Sequence, residues 1–184
     1  NMKYRLKIVQ DEDPSSPREW DNLGTMICFH GRYSLGDKHE HTSDDFSGWS
    51  DMKSKLSNLL DGVLLPLYLY DHSGITMNTT GFNCPWDSGQ VGYIGISKAK
   101  IRKEYGVKNV TKKWREKIAT YLVNEVETYD QYLRGDVWGY EVEDEDGDIV
   151  DSCYGYYGED HAKEEGECSL KHYATCTETQ TEGC

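Results

Sequence analysis

No run of about 18 apolar residues occurs in this sequence, so nothing in it reads as a membrane-spanning helix. Residues 1–10 carry charges where a secretion signal would need an apolar stretch, and the expectation is a soluble cytoplasmic protein with no membrane partner. Phenylalanine is scarce at 3 and proline at 4, whereas tyrosine reaches 14 and tryptophan 5. The aromatic content is therefore amphipathic, as suits an interface. Cations are the minority charge: 20 Lys and Arg stand against 33 Asp and Glu, for a net charge of −13. That balance argues against a simple nucleic-acid-binding protein, because counterion release needs a cationic surface, and it fits a basic partner.

Nucleotide and nucleophile signatures are missing too. There is no Walker sequence, no Rossmann glycine fingerprint, no GxSxG elbow and no HExxH, and the expectation is a protein that is not an enzyme and needs no cofactor. Six cysteines are present, but at 184 residues the chain is long enough to close a core without staples, and without a secretion signal they read as thiols.

What is present is segregated. Residues 1–97 carry 8 basic and 13 acidic side chains, residues 98–117 carry 9 and 2, and residues 118–184 carry 3 and 18. Two faces of opposite sign are one reading of these blocks, and ordinary solvated surfaces are the other.

Hydrophobic periodicity supplies the elements. Alternation over residues 2–9 predicts a strand with one buried face, residues 11–21 a loop, and residues 25–30 a short strand. Apolar positions Phe46, Trp49, Met52, Leu56, Leu59 and Leu60 recur at helical spacing after cap candidates Thr42, Ser43 and Asp44. Residues 63–71 read as a strand whose Pro66 demands an edge position or a bulge. Residues 91–96 form a further strand, residues 98–105 a short basic helix, and residues 112–133 the longest helix. Residues 137–157 read as a hairpin turning at Asp146-Gly147, a pair suited to a type I′ turn. A short helix is expected around residues 162–171. The predicted architecture is α+β, mainly an antiparallel sheet packed by two amphipathic helices and one short helix, with one domain over residues 1–157 and a polar extension over 158–184.

Several constellations could carry chemistry. Cys168, His172 and Cys176 repeat every four residues and would share a helix face, with Cys184 or Cys153 as a fourth zinc ligand, but the close cysteine pair of a structural zinc site is absent. His30, His39, His41 and His72 with Glu40 and Asp71 could form a hydrolytic metal site, and surface or capping roles compete with that reading. Asp144, Asp146 and Asp148 mimic the start of a calcium loop, yet Gly155 stands where the closing glutamate belongs. No metal is expected.

Two features favour binding. In residues 141–151, seven of eleven side chains are carboxylates, including Glu141, Glu143, Asp144, Glu145, Asp146 and Asp148. Same-face strand residues repeat at about 6.6 Å, close to the phosphate spacing of one nucleic-acid strand, so this hairpin reads as a partial DNA mimic. Trp138, Tyr140 and Tyr154 are its candidate aromatic anchors, with core packing as their ordinary alternative. The second feature is the basic block Lys98, Lys100, Arg102, Lys103, Lys112, Lys113 and Arg115. Its later members crowd a helix N-terminus, where the macrodipole disfavours cations unless an anion is nearby.

In DNLGTM (residues 21–26), LPLYLYDHSGITM (65–77) and CPWDSGQVGYIGISKAKIRKEYG (84–106), the sequence resembles a family of small acidic proteins of phages and mobile elements of Gram-positive gut bacteria, and within it a type II-A anti-CRISPR. The resemblance implies a Cas9 inhibitor in the host bacterial cytoplasm. Its partner would be Cas9 loaded with guide RNA, with interference in DNA engagement and contact with double-stranded DNA as further implications. The alternatives are an accessory phage DNA-binding protein acting through residues 98–117, and a small metal-dependent phage enzyme.

Overall fold

The structure, a computed structural model, describes residues 2–181, with side chains as far as Thr175. The fold is α+β, and every strand pairing is antiparallel. The described residues hold four α-helices and seven strands in two sheets rather than one. They fall into two compact units: a terminal unit, Asn1–Ser16 with Gln131–Cys184, and a central unit, Pro17–Asp130. No described helix is long and apolar enough to cross a membrane.

The central unit contains β2 (Thr25–Cys28), α1 (Trp49–Leu60), β3 (Val63–Asp71), β4 (Ile75–Asn78), β5 (Ser88–Ile96), α2 (Lys98–Tyr105) and all but the last turn of α3 (Lys112–Arg134). Its sheet runs β2-β5-β3-β4. Val91 to Ile96 are buried without interruption, because helices cover both sides of β5. On one side Met52 and Leu56 of α1 pack with Tyr93, whose hydroxyl donates to the Trp49 carbonyl at 2.8 Å. On the other, where Ile94 points, α3 anchors the sheet margin: the Asp130 carboxylate accepts from the Thr76 hydroxyl at 2.6 Å and the Met77 amide at 2.8 Å.

Pro66 pairs with Tyr93 of β5, while β4 reaches only Tyr68 to Asp71, so the other flank of β3 is an open edge at the proline. A register shift follows at once, between Leu67 and Tyr68. Pro66 thus has a locally open flank and a bulge beside it, although β3 as a whole lies between β5 and β4. Periodicity missed β4, whose four residues are too few to display a period.

The terminal unit contains β1 (Arg5–Gln10), β6 (Val137–Glu143), β7 (Ile149–Tyr157) and α4 (Glu159–Thr181), with strand order β1-β6-β7. Its helix is far longer than the segment expected around residues 162–171, and it packs on β6 and β1. Ala162, Gly166, Ser169 and Tyr173 lie on the facing stripe. Ala162 is fully buried, the Ser169 hydroxyl donates to Asp151, and the Tyr173 hydroxyl donates to the Val150 carbonyl at 3.0 Å. Small residues replace the apolar stripe that helix recognition relies on, which lets the backbone approach the sheet closely.

Candidate functional site

The acidic hairpin forms where the sequence places it, with a different turn. Gly147 has φ of 87° and Asp146 is not left-handed, so the turn is not type I′. Instead the Gly147 amide donates to the Asp144 carbonyl at 3.2 Å and the Asp144 amide to the Asp148 carbonyl at 3.0 Å, a type I turn closed by a left-handed glycine. The Asp144 side chain fixes this loop by accepting from the Asp146 and Asp148 amides, both at 3.0 Å.

The seven carboxylates do not form one row. Glu143 is buried and ion-paired to Arg5 at 2.5 Å and Lys7 at 2.7 Å, both from β1. The hydrogen bonds from Lys7 and Arg5 hold its carboxyl below the usual glutamate range. Glu141 accepts from the Tyr154 hydroxyl, and Asp151 from Tyr140 and Ser169. Four carboxylates remain at the tip: Asp144, Glu145, Asp146 and Asp148, none in an ion pair among the described residues. Glu145 also accepts from the Lys3 amide at 2.7 Å, tying the tip to the chain entering β1.

The aromatic candidates divide in the same way. Tyr140 is a core residue, and the Trp138 indole donates to Asp136 at 2.8 Å. Tyr154 is the exposed member, at 47%. With Ile149 at 53% it gives the edge strand β7 an apolar surface beside the acidic tip.

In the basic block, three cations are committed inward. Arg115 donates to the Gly62 and Asp61 carbonyls beyond the end of α1, Lys98 pairs with Asp61 at 3.3 Å, and Lys100 donates to the Asn22 carbonyl at 3.0 Å. Lys112 reaches Glu116 at 3.9 Å. Arg102, Lys103 and Lys113 are exposed. The dipole argument thus does not cover Arg115, whose partners are carbonyl groups within the fold.

The histidine and carboxylate candidates separate. His39 and His41 pack with Phe29 and Phe46. His30 and Asp71 instead line a polar cavity of about 380 Å³ together with Arg32, Asp87, Ser88 and Trp86. Arg32 meets Asp71 at 3.5 Å, the Tyr33 hydroxyl donates to Asp71 at 3.1 Å, and His72 meets Asp87 at 3.2 Å. Trp86 is 92% exposed. Among the described residues no group of three metal-ligating side chains is close enough to hold an ion. Of the zinc candidates, the Cys176 side chain and Cys184 lie outside the described residues; Cys153 and Cys168 are exposed free thiols. Burial pushes the Cys28 thiol up to about 12, so it stays protonated and unreactive at neutral pH.

No protein-family model, no curated protein and no solved structure matches the chain.

Sequence reading missed the charge centre of the central unit. Arg18, in the segment read as a loop, is buried and binds Asp37 in a two-pronged pair at 2.9 and 2.7 Å, Glu125 at 2.9 Å and the Gly24 carbonyl at 2.8 Å. Asp37 and Glu125 also accept backbone amides of residues 23, 24 and 26. Burial works against the Arg18 charge, but the hydrogen bonds to both carboxylates outweigh it and hold the proton more tightly than usual. Its partners lie 19 and 107 residues away, so no local signal exists.

Charge is divided unequally between the units. The terminal unit carries 6 basic and 18 acidic side chains, the central unit 14 and 15. Nearly all of the net −13 therefore belongs to the unit that presents the hairpin tip.

Proposed function

We propose that the protein is an inhibitor that binds a nucleic-acid-handling protein through its terminal unit, and that the partner is guide-loaded bacterial Cas9. The concentration of negative charge in the terminal unit carries this reading. An anionic body with four unpaired carboxylates at an ordered turn is complementary to a cationic groove that otherwise holds phosphates, and such complementarity accelerates encounter and fixes orientation. The resemblance of residues 21–26, 65–77 and 84–106 names the partner. The contact is narrower than a whole hairpin of carboxylates: Glu143 is spent on β1, and the tip with Tyr154 and Ile149 offers an acidic rim beside an apolar centre, the division of labour typical of interfaces. On this reading the protein catalyses no reaction.

The test is DNA cleavage by guide-loaded Cas9 with the wild-type protein and with Asp146 and Asp148 changed together to lysine. Asp144 and Glu145 are kept because they hold the turn and the Lys3 amide. Loss of protection with an unchanged melting temperature is expected. A variant that protects DNA as well as wild type rules out the tip as the contact, and a wild-type protein that neither binds Cas9 nor protects DNA rules out the partner.

A further inference from the structure

The central unit has an aromatic cleft that the inhibitor reading does not use. A cavity of about 360 Å³ lies between the segment leading into β2 and the faces of α2 and α3, with Trp20, Tyr105, Tyr121, Asn124 and Thr128 among its walls. Trp20 is 51% exposed. Its place is set by backbone contacts: its amide donates to the Pro17 carbonyl at 3.2 Å, and the Asn22 amide side chain donates to its carbonyl at 2.9 Å. Opposite, Tyr105 and Tyr121 are nearly parallel, 18° apart with centroids at 6.3 Å, and Trp114 continues the aromatic wall at 5.1 Å from Tyr105.

Cations border this wall. Lys117 Nζ stands 4.9 Å from the Trp114 ring and 5.9 Å from Tyr121, and Lys100 reaches the cleft through the Asn22 carbonyl. Arg102, Lys103 and Lys113 are exposed on the same two helices. The one carboxylate in the lining, Glu125, is neutralised by Arg18. An exposed ring and a pair of stacked rings lining one cleft, with positive charge alongside, match the way proteins hold unpaired bases: rings stack on the bases and lysines follow the phosphates.

We propose that this cleft binds single-stranded nucleic acid, with a base lodged against Trp20 and the backbone running along Lys113 and Lys117, which share a helix stripe with Tyr121. Duplex DNA is a poor fit, because its bases are already stacked and their faces are out of reach. This surface is distinct from the acidic tip and belongs to the unit whose net charge is close to zero, so the overall −13 does not forbid it.

Fluorescence anisotropy of a labelled oligothymidine of about 12 nucleotides with the full chain tests the proposal, within the site sizes such proteins cover. Saturable binding is expected, weaker for a duplex of the same length. Trp20→Ala should weaken it by about 5- to 150-fold, the loss of one stacking partner. Lys113→Gln with Lys117→Gln should flatten the dependence of log affinity on log salt by about 0.7 per lysine. Far-UV circular dichroism melting of each variant establishes that it is folded; should Trp20→Ala not fold, Trp20→Leu serves in its place. No binding at about 50 mM salt, where phosphate contacts are strong, overturns the proposal. So does equal or tighter binding of the duplex, or an affinity indifferent to the Trp20 substitution.

Discussion

Arg18 shows most clearly what one side chain does in this molecule. It gathers Asp37 and Glu125, which in turn hold the backbone entering β2, so removing it leaves two carboxylates without their counter-charge. Breaking a buried ion pair on one side costs about 3–5 kcal/mol, and Arg18→Ala is expected to lose that much in urea unfolding. A loss below about 1 kcal/mol would mean that the cluster is solvated as surface pairs are. Glu143 gives the corresponding case for acid. Because Lys7 and Arg5 depress its pKa in the folded state, its contribution is complete above the ordinary glutamate value of about 4.3 and is lost as pH falls below that, through the lower folded value. Glu143→Gln should therefore be less stable than wild type at neutral pH, with the difference shrinking as pH falls through that window. A difference that stays constant down to strongly acidic pH would show that the Glu143 charge is not what stabilises the fold.

Among the elements, α4 had the weakest signal in the sequence. β1, α2, α3 and the hairpin were legible within a few residues because each shows a period, a cap or a glycine stop. In α4 the buried stripe is alanine, glycine and serine, and its polar residues read as an extension without a core role. Gly166 tests the packing. In an exposed helix, glycine to alanine gains about 1 kcal/mol. Here a Cβ would lie 2.7 Å from Leu6 Cδ1 and 2.9 Å from Tyr140 Cβ, and the latter cannot swing away. Gly166→Ala is expected to destabilise by about 1–3 kcal/mol in urea unfolding, and a gain would show α4 seated more loosely on the sheet. The candidate surfaces were legible in part for a similar reason. Charge blocks are visible in sequence, but that Glu143 faces Arg5 and Lys7 depends on pairing residues 138 apart, and the cleft joins Trp20 to helices some 85 to 100 positions later.

For the molecule as a whole, the division of charge coincides with the division into compact units. The long helix α3 begins in the nearly neutral unit and ends in the acidic one, and the chain returns to the acidic unit only after residue 130. The basic block 98–117 lies wholly in the central unit and offsets its acids there, while residues 1–16 bring three cations and three anions into the acidic unit and leave its balance unchanged.

Among the described residues no strand pairs with the outer margin of β7, which carries apolar residues, and such an edge invites other chains to add themselves. Three features discourage this. The strand is interrupted where Val150 is squeezed out of register and again at Tyr154 and Gly155, and the Val150 carbonyl is already occupied by Tyr173. A second copy would also bring its own acidic hairpin alongside the first. Like charge thus acts as a gatekeeper against fibre-like self-assembly.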